Sequence, residues 1–189
     1  MKIAFVDVET TGTDHKQHGI IQIACILTDG QTEYAKTWNC APFEQDEIDP
    51  QALLLRNISE AEIKAYPSPK MIHTDLISFL GQFCDKYNAR DKMIFSGYNA
   101  KFDQDFLREW FRKCGDNYFG SWFWSPPMDV MSIAIMRIKE KRPLMPNFKL
   151  GTVAKELGIE FKESELHDAL CDIRLTMAIY KKCQNENSL

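Results

Sequence analysis

An α/β fold, with a mixed central sheet flanked by helices, is what this chain of 189 residues predicts. Three observations carry that expectation. The run Ile3-Ala4-Phe5-Val6 is apolar at every position, which suits a central strand covered on both faces rather than a half-exposed one. Two more strand-like runs follow, Ile20 to Leu27 and Tyr34 to Trp38, with the hairpin signal Thr28-Asp29-Gly30 between them. Helical spacing then dominates the rest of the chain, broken by a short apolar run at Met93 to Phe95.

In chain order, the first three runs form an antiparallel three-stranded meander, the opening of a βββαβα arrangement whose later strands run parallel. Pro50 to Leu55 suits a short helix, and Ser59-Glu60-Ala61-Glu62 has the form of a capping box opening another. Between Pro69 and Tyr87 the apolar residues at 72, 76, 79, 80 and 83 keep helical spacing. Met93 to Phe95 is a strand ended by Gly97. Helices are expected over Phe102 to Cys114, Asp129 to Lys139, Lys149 to Leu157 and Leu166 to Cys183, the later ones packing across the sheet. No internal repeat is visible, so residues 1–183 read as a single domain and the polar end, 184–189, as a disordered tail.

Composition narrows the class. With 44% hydrophobic and 26% charged residues, this is an ordinary globular chain, long enough for a sizeable core. Its net charge of −4 argues against a broad grip on duplex nucleic acid, which rests on many Lys and Arg contacts to phosphate, but leaves room for a short strand. Charge is uneven: Arg137, Lys139, Lys141, Arg142 and Lys149 stand against Glu140 alone, so 137–149 is either a phosphate guide or a solvated loop. The aromatic cluster Tyr118, Phe119, Trp122, Phe123 and Trp124 is either core or a stacking surface for bases. Six cysteines form no Cys-x-x-Cys pair, which disfavours zinc or a disulfide framework and makes a reducing compartment the default. The strand-like start leaves no room for a signal peptide, and no run of about 18 apolar residues occurs, so a cytoplasmic protein away from membranes is expected.

Chemistry concentrates in three short motifs. Asp7 and Glu9, two apart at the carboxyl end of the first strand, leave the same face, and ligands tend to bind at such ends in open α/β sheets. Two buried carboxylates repel unless a cation sits between them, so the pair predicts a metal; the alternative is two solvated acids before an ordinary Thr10-Thr11-Gly12 turn. In the second motif, Tyr98-Asn99-Ala100-Lys101-Phe102-Asp103, the aspartate shares a helical stripe with Leu107, Trp110 and Cys114 and so faces inward, either toward a metal or simply toward the helix N-terminus. In the third, Asp172 lies among Ala169, Ile173 and Thr176, a poor place for a merely solvated acid. His167, five positions earlier and roughly 140° away on an ideal helix, must sit at a loose helix start to reach the same site. There it is a candidate general base, or else a surface residue.

Asp-x-Glu-Thr-Thr-Gly, Asn-Ala-x-Phe-Asp and His-x₄-Asp in this order, spread over residues 7 to 172, resemble the motifs of the DEDDh 3′–5′ exonucleases. Ile20-Ile21-Gln22-Ile23, Met128-Asp129 and Asn147-Phe148-Lys149-Leu150 match too, and His167 rather than tyrosine places the chain in the histidine group. The resemblance implies an RNase H-like fold and a metal-dependent enzyme releasing nucleoside 5′-monophosphates from a 3′ end. Asp7, Glu9, Asp103 and Asp172 would hold two Mg²⁺ or Mn²⁺ ions, His167 would take the proton from the attacking water, and Thr10, Thr11, Gly12, Tyr98 and Asn99 would hold the terminal nucleotide. The substrate implied is a nucleic acid with a free 3′ end, single-stranded, DNA being favoured and RNA left open. A polymerase or another replication or repair partner would have to use the domain's own surface or the short tail.

Two residues depart from the pattern: Gln22 stands where many relatives have glutamate, and Tyr98 where they often have histidine. Asp129 and Asp168 read as structural acids, an N-cap and a first-turn residue. Two other functions fit the same fold, a catalytically silent binding or scaffolding domain and an endonuclease. A circular single strand separates the last from an exonuclease.

Overall fold

The computed structural model describes residues 1–163, 166 and 168–185, Asn185 by its backbone alone. Strands β1 (Ile3–Thr10), β2 (Ile20–Thr28) and β3 (Glu33–Asn39) form the meander. Three helices follow, α1 (Pro50–Leu55), α2 (Glu60–Lys64) and α3 (Pro69–Gly81). Then come β4 (Met93–Gly97), α4 (Ala100–Lys113), α5 (Phe119–Trp122), β5 (Phe123–Asp129), α6 (Val130–Ile138), α7 (Leu150–Glu156) and α8 (Ala169–Asn185). The strands make one sheet in the order β3-β2-β1-β4-β5; β1 is antiparallel to β2 and parallel to β4, which is parallel to β5. This is the RNase H-like architecture, with helices on both faces.

The alternation of β1 divides the core. Ala4, Val6 and Val8 pack with α3 and α4 through Leu76, Leu80, Phe106 and Phe111 on one face. Ile3 and Phe5 pack with α6, α7 and α8 through Ala134, Val153, Ile173 and Ile179 on the other. Each Val, Leu, Ile or Phe side chain among these contributes about 1.5–3 kcal/mol when taken fully out of water, so both faces hold the strand in one register. A third, smaller cluster of Ile21, Leu53 and Ile63 seats α1 and α2 beside the start of β2.

Several expectations shift. β5 pairs with β4 at its two ends, through Phe123, Trp124, Met128 and Asp129, and the intervening Ser125-Pro126-Pro127, two of which lack an amide donor, fall at a register shift that an edge strand tolerates. α3 stops at Gly81 rather than Tyr87, because the Asp85 and Asp91 side chains accept from the Tyr87 and Asp85 amides and fold the chain into turns. α8 starts at Ala169 and runs to Asn185, so Gln184 and Asn185 belong to a helix and not to a tail; residues 186–189 lie outside the described residues. The aromatic cluster splits: Phe119, Trp122 and Phe123 are core, whereas Tyr118 and Trp124 are exposed. In the basic segment, Lys141 pairs with Glu156 at 2.8 Å and Arg142 lies over the Phe148 ring. Among the described residues, no helix is long and apolar enough to cross a membrane.

Pairing between β1 and β4 ends at Phe5 and Ser96, while β1 stays paired with β2 to Thr10. Beyond Phe5, β1 therefore presents an unpaired margin toward the start of α4. That margin positions the site.

Candidate active site

Strand parity places Asp7 and Glu9 with Ile3 and Phe5, on the face covered by α8. A bulge between Glu9 and Thr10 then turns the chain into the 11–19 loop. α8 brings Asp172 in its first turn, and Asp7, Glu9 and Asp172 each offer an oxygen within 4.8 Å of the others. Asp103 arrives from the other face, in the first turn of α4 and only 4% exposed. Its Oδ1 accepts a 3.0 Å hydrogen bond from the Val8 amide, the donor that the early end of β1–β4 pairing leaves available. Gly97 makes room for it: a Cβ there would stand 3.0 Å from the Val6 carbonyl oxygen and 3.5 Å from Asp103 Oδ2.

These acids disfavour one another's charge. Loss of water raises the Asp7 carboxyl well above the usual carboxylate range, and the charges of Asp103, Glu9 and Asp172 raise it further against the pull of Arg56. Loss of water lifts Glu9 to about 7, with Arg56 opposing. Asp103 rises to about 8 for the same first reason, although the Val8 hydrogen bond pulls it down. Arg56 Nε, 3.9 Å from Glu9 Oε2, is the cation that opposes these shifts. A cluster of oxygen donors held neutral for want of positive charge suits a hard divalent cation, which would restore the ionised form of each acid.

The remaining sequence candidates fall out differently. His167 lies outside the described residues. Thr11 is fully buried, its hydroxyl donating to the Glu47 carbonyl at 2.6 Å and accepting from the Gly19 amide at 2.9 Å, so that side chain braces the loop. Thr10 Oγ1 donates to the Gly12 carbonyl, and the His18 ring covers Gly12 so closely that a Cβ would stand 2.2 Å from it. The Tyr98 hydroxyl donates to the Phe148 carbonyl at 2.7 Å, packing the residue against α7's entrance rather than among the carboxylates. Asn99, exposed and left-handed at φ 63°, starts α4, and its amide N–H donates to Asp129 at 2.9 Å. Asp129 also caps α6 through the Met131 amide, and Asp168, just before α8, accepts from the Cys171 amide; both acids are structural.

Sequence reading missed Arg56. It is the C-cap of α1, with no motif around it, and its Nη2 donates to Gln22 Oε1 at 3.2 Å. The signal was indirect: Gln22 in place of an acid marks a changed interaction beside Glu9, its cross-strand partner. Arg56 lines a pocket of about 390 Å³ next to the carboxylates, with Glu9, Thr10, Gly12, Leu55 and Phe102 among its walls.

A family model described as Exonuclease (RNase_T) matches residues 4–180. A DNA polymerase III of PolC type from Thermotoga petrophila is 25% identical over 177 residues, 93% of this chain and 11% of that protein. Among solved structures, a zinc-bound complex of E. coli exonuclease I with single-stranded DNA superposes with a TM-score of 0.78 at 25% identity, covering 98% of this chain and 41% of that one. The same enzyme with a dT13 oligonucleotide gives 0.73 at 24% identity, over 95% of this chain and 40% of that one. This chain thus spans less than half of exonuclease I and about a tenth of the polymerase.

Proposed function

The chain belongs to the exonuclease (RNase_T) family, and from that premise we propose that it is a DEDDh-type 3′–5′ exonuclease, dependent on Mg²⁺ or Mn²⁺, acting on single-stranded ends. The observation that carries this reading is the convergence of Asp7, Glu9 and Asp172 within 4.8 Å, with Asp103 beside them and three of the four acids held toward their neutral forms. Residues 1–183 act as the one exonuclease domain.

Asp7, Glu9, Asp103 and Asp172 hold the two cations, which when bound supply Lewis acidity and neutralise charge developing on the phosphate. Glu9 and Asp7 approach from β1 and Asp172 from α8, so each element fixes a different side of the site. Asp103 is held by the Val8 amide, which stabilises its ionised form and points the carboxylate toward Asp7. His167 takes the proton of the attacking water. The exposed Asn99 carboxamide and the Thr10–Gly12 backbone position the terminal nucleotide, and Thr11 and Tyr98 brace those segments from behind.

DNA is the favoured substrate because the similar exonuclease I structures are complexes with single-stranded DNA. A replication partner is supported by the likeness to a PolC-type polymerase. The cytoplasm is the compartment we assign, in keeping with cysteines that no disulfide links.

The test is a time course on matched 5′-labelled single strands of DNA and RNA, with Mg²⁺ and with the cation chelated. A cation-dependent ladder shortening from the 3′ end, faster on DNA and absent for Asp7→Asn, is expected. Equal release by Asp7→Asn and wild type, or opening of a circular single strand, would sink the reading.

A further inference from the structure

Arg56 is placed with more care than a helix cap needs. Asn57, at φ 51°, reverses the chain after α1, and the Ile58 amide donates back to the Leu53 carbonyl. Leu53, Ile21 and Ile63 are buried beneath this turn, with Ile48, Ile58 and Tyr66 packed around them. The Arg56 side chain, only 16% exposed, is thereby held with its guanidinium between Glu9 and Gln22. Gln22 is itself oriented, because its Nε2 donates to Asn39 Oδ1 at 2.9 Å and so leaves Oε1 to accept from Arg56. A side-chain chain thus crosses three strands, from Asn39 on β3 through Gln22 on β2 and Arg56 to Glu9 on β1.

Its charge balance is incomplete. Gln22 and Asn39 are neutral, and among the described residues Glu9 is the one carboxylate within ion-pair distance of Arg56, at 3.9 Å. If Glu9 serves a cation, as the proposed function requires, Arg56 keeps a full charge against one neutral acceptor. A guanidinium cannot shed that charge, and it carries five N–H donors in a planar fork suited to phosphate oxygens. Among the described residues it is the one cation lining a pocket of about 390 Å³, a space large enough for one small ligand, whose walls also include Glu9 and Asp49, the latter engaged by the Gln51 amide.

We propose that Arg56 is a phosphate-binding residue of this pocket, taking an oxygen of a nucleotide phosphate lodged between α1 and Glu9. The inference rests on the exonuclease reading for the identity of its ligand. The phosphate has two possible sources, the one being cleaved, which the product carries on its 5′ carbon, and a monoester on the strand's terminal 3′ carbon. Lysine would supply charge without the fork, and glutamine would keep bulk and polarity without charge.

Calorimetry with Mg²⁺ present, using thymidine, thymidine 5′-monophosphate and thymidine 3′-monophosphate as probes, tests it. Wild type is expected to bind one monophosphate at least tenfold more tightly than thymidine, and which one names the source. Arg56→Gln is expected to narrow that preference at least fivefold, the bound cations keeping the remainder, and Arg56→Lys to narrow it less, with thermal unfolding showing both variants folded. Arg56→Gln with an undiminished preference, or a wild type with no preference for either monophosphate, overturns the proposal. Failure of the exonuclease reading is a separate result, a labelled strand left intact by wild type, and does not decide the binding comparison.

Discussion

Replacing Glu9 by glutamine should make the cation-free protein more stable at pH 8 while weakening the cation binding proposed for this cluster. The Glu9 carboxyl is lifted from 4.5 to about 7 in the fold, with a side chain 19% exposed. Below pH 4.5 the acid is protonated in both the folded and unfolded states, and the substitution changes little on this account. Between pH 4.5 and 7 the unfolded chain releases its proton and the folded one does not, so folding stability falls as pH rises and levels off above 7. Each tenfold difference in proton affinity is worth about 1.4 kcal/mol, which sets the loss at about 3 kcal/mol, the attraction of Arg56 already included. For a chain of this length that corresponds to a rise in Tm of roughly 6–12 °C on removing the charge. Thermal unfolding of wild type and Glu9→Gln in a chelator, at pH 5 and pH 8, measures it, and Mg²⁺ should raise the wild-type Tm far more than the variant's. A Glu9→Gln protein no more stable than wild type at pH 8, or a gap equally wide at pH 5, would show that the carboxylates are not held against their charge.

Three other outcomes follow from the same geometry. Because Glu9 and Asp103 are raised to about 7 and 8, cation binding at pH 7 should release protons, seen as a binding enthalpy that changes with the ionisation enthalpy of the buffer; an enthalpy independent of buffer contradicts this. Gly97→Val places atoms 3.0 Å from the Val6 carbonyl and against Asp103, so denaturant unfolding should show a loss of about 1–3 kcal/mol. The same variant should lose at least nine-tenths of the wild-type cleavage rate, and an unchanged rate counts against the placement of Asp103. Lys113 and Asp46 form an ion pair with side chains 8% and 1% exposed, so Lys113→Met alone should cost about 3–5 kcal/mol and the double variant Lys113→Met, Asp46→Asn should recover most of it.

What could be read in advance was what obeys a local period. The all-apolar run of β1 announces a covered strand, and its two-residue alternation alone puts Asp7 and Glu9 on one face. The stripe joining Asp103 to Leu107 and Trp110 likewise announces a buried acid, which Asp103 is. Features set by distant partners were not legible. β5 is a strand because β4 offers it an edge, while its two prolines argue locally against it. Arg56 meets Glu9 only because Asn57 reverses the chain over a small core built from three separate segments. Thr11 is polar and sits inside a recognised motif, yet its hydroxyl is used up by Glu47 and Gly19, partners that no spacing rule names.

The hydrogen bond from the Val8 amide to Asp103 links strand phase to the acid cluster. Were β1 to settle one residue out of phase, Val6 and Val8 would stand where Asp7 and Glu9 belong, and the Val8 amide would turn away from α4. Such a molecule could keep most of its secondary structure and still lack three of the four carboxylates' arrangement. On the proposed cation site, the amount of divalent cation a preparation takes up would be a titre of correctly phased molecules, a stricter measure of renaturation than circular dichroism or solubility.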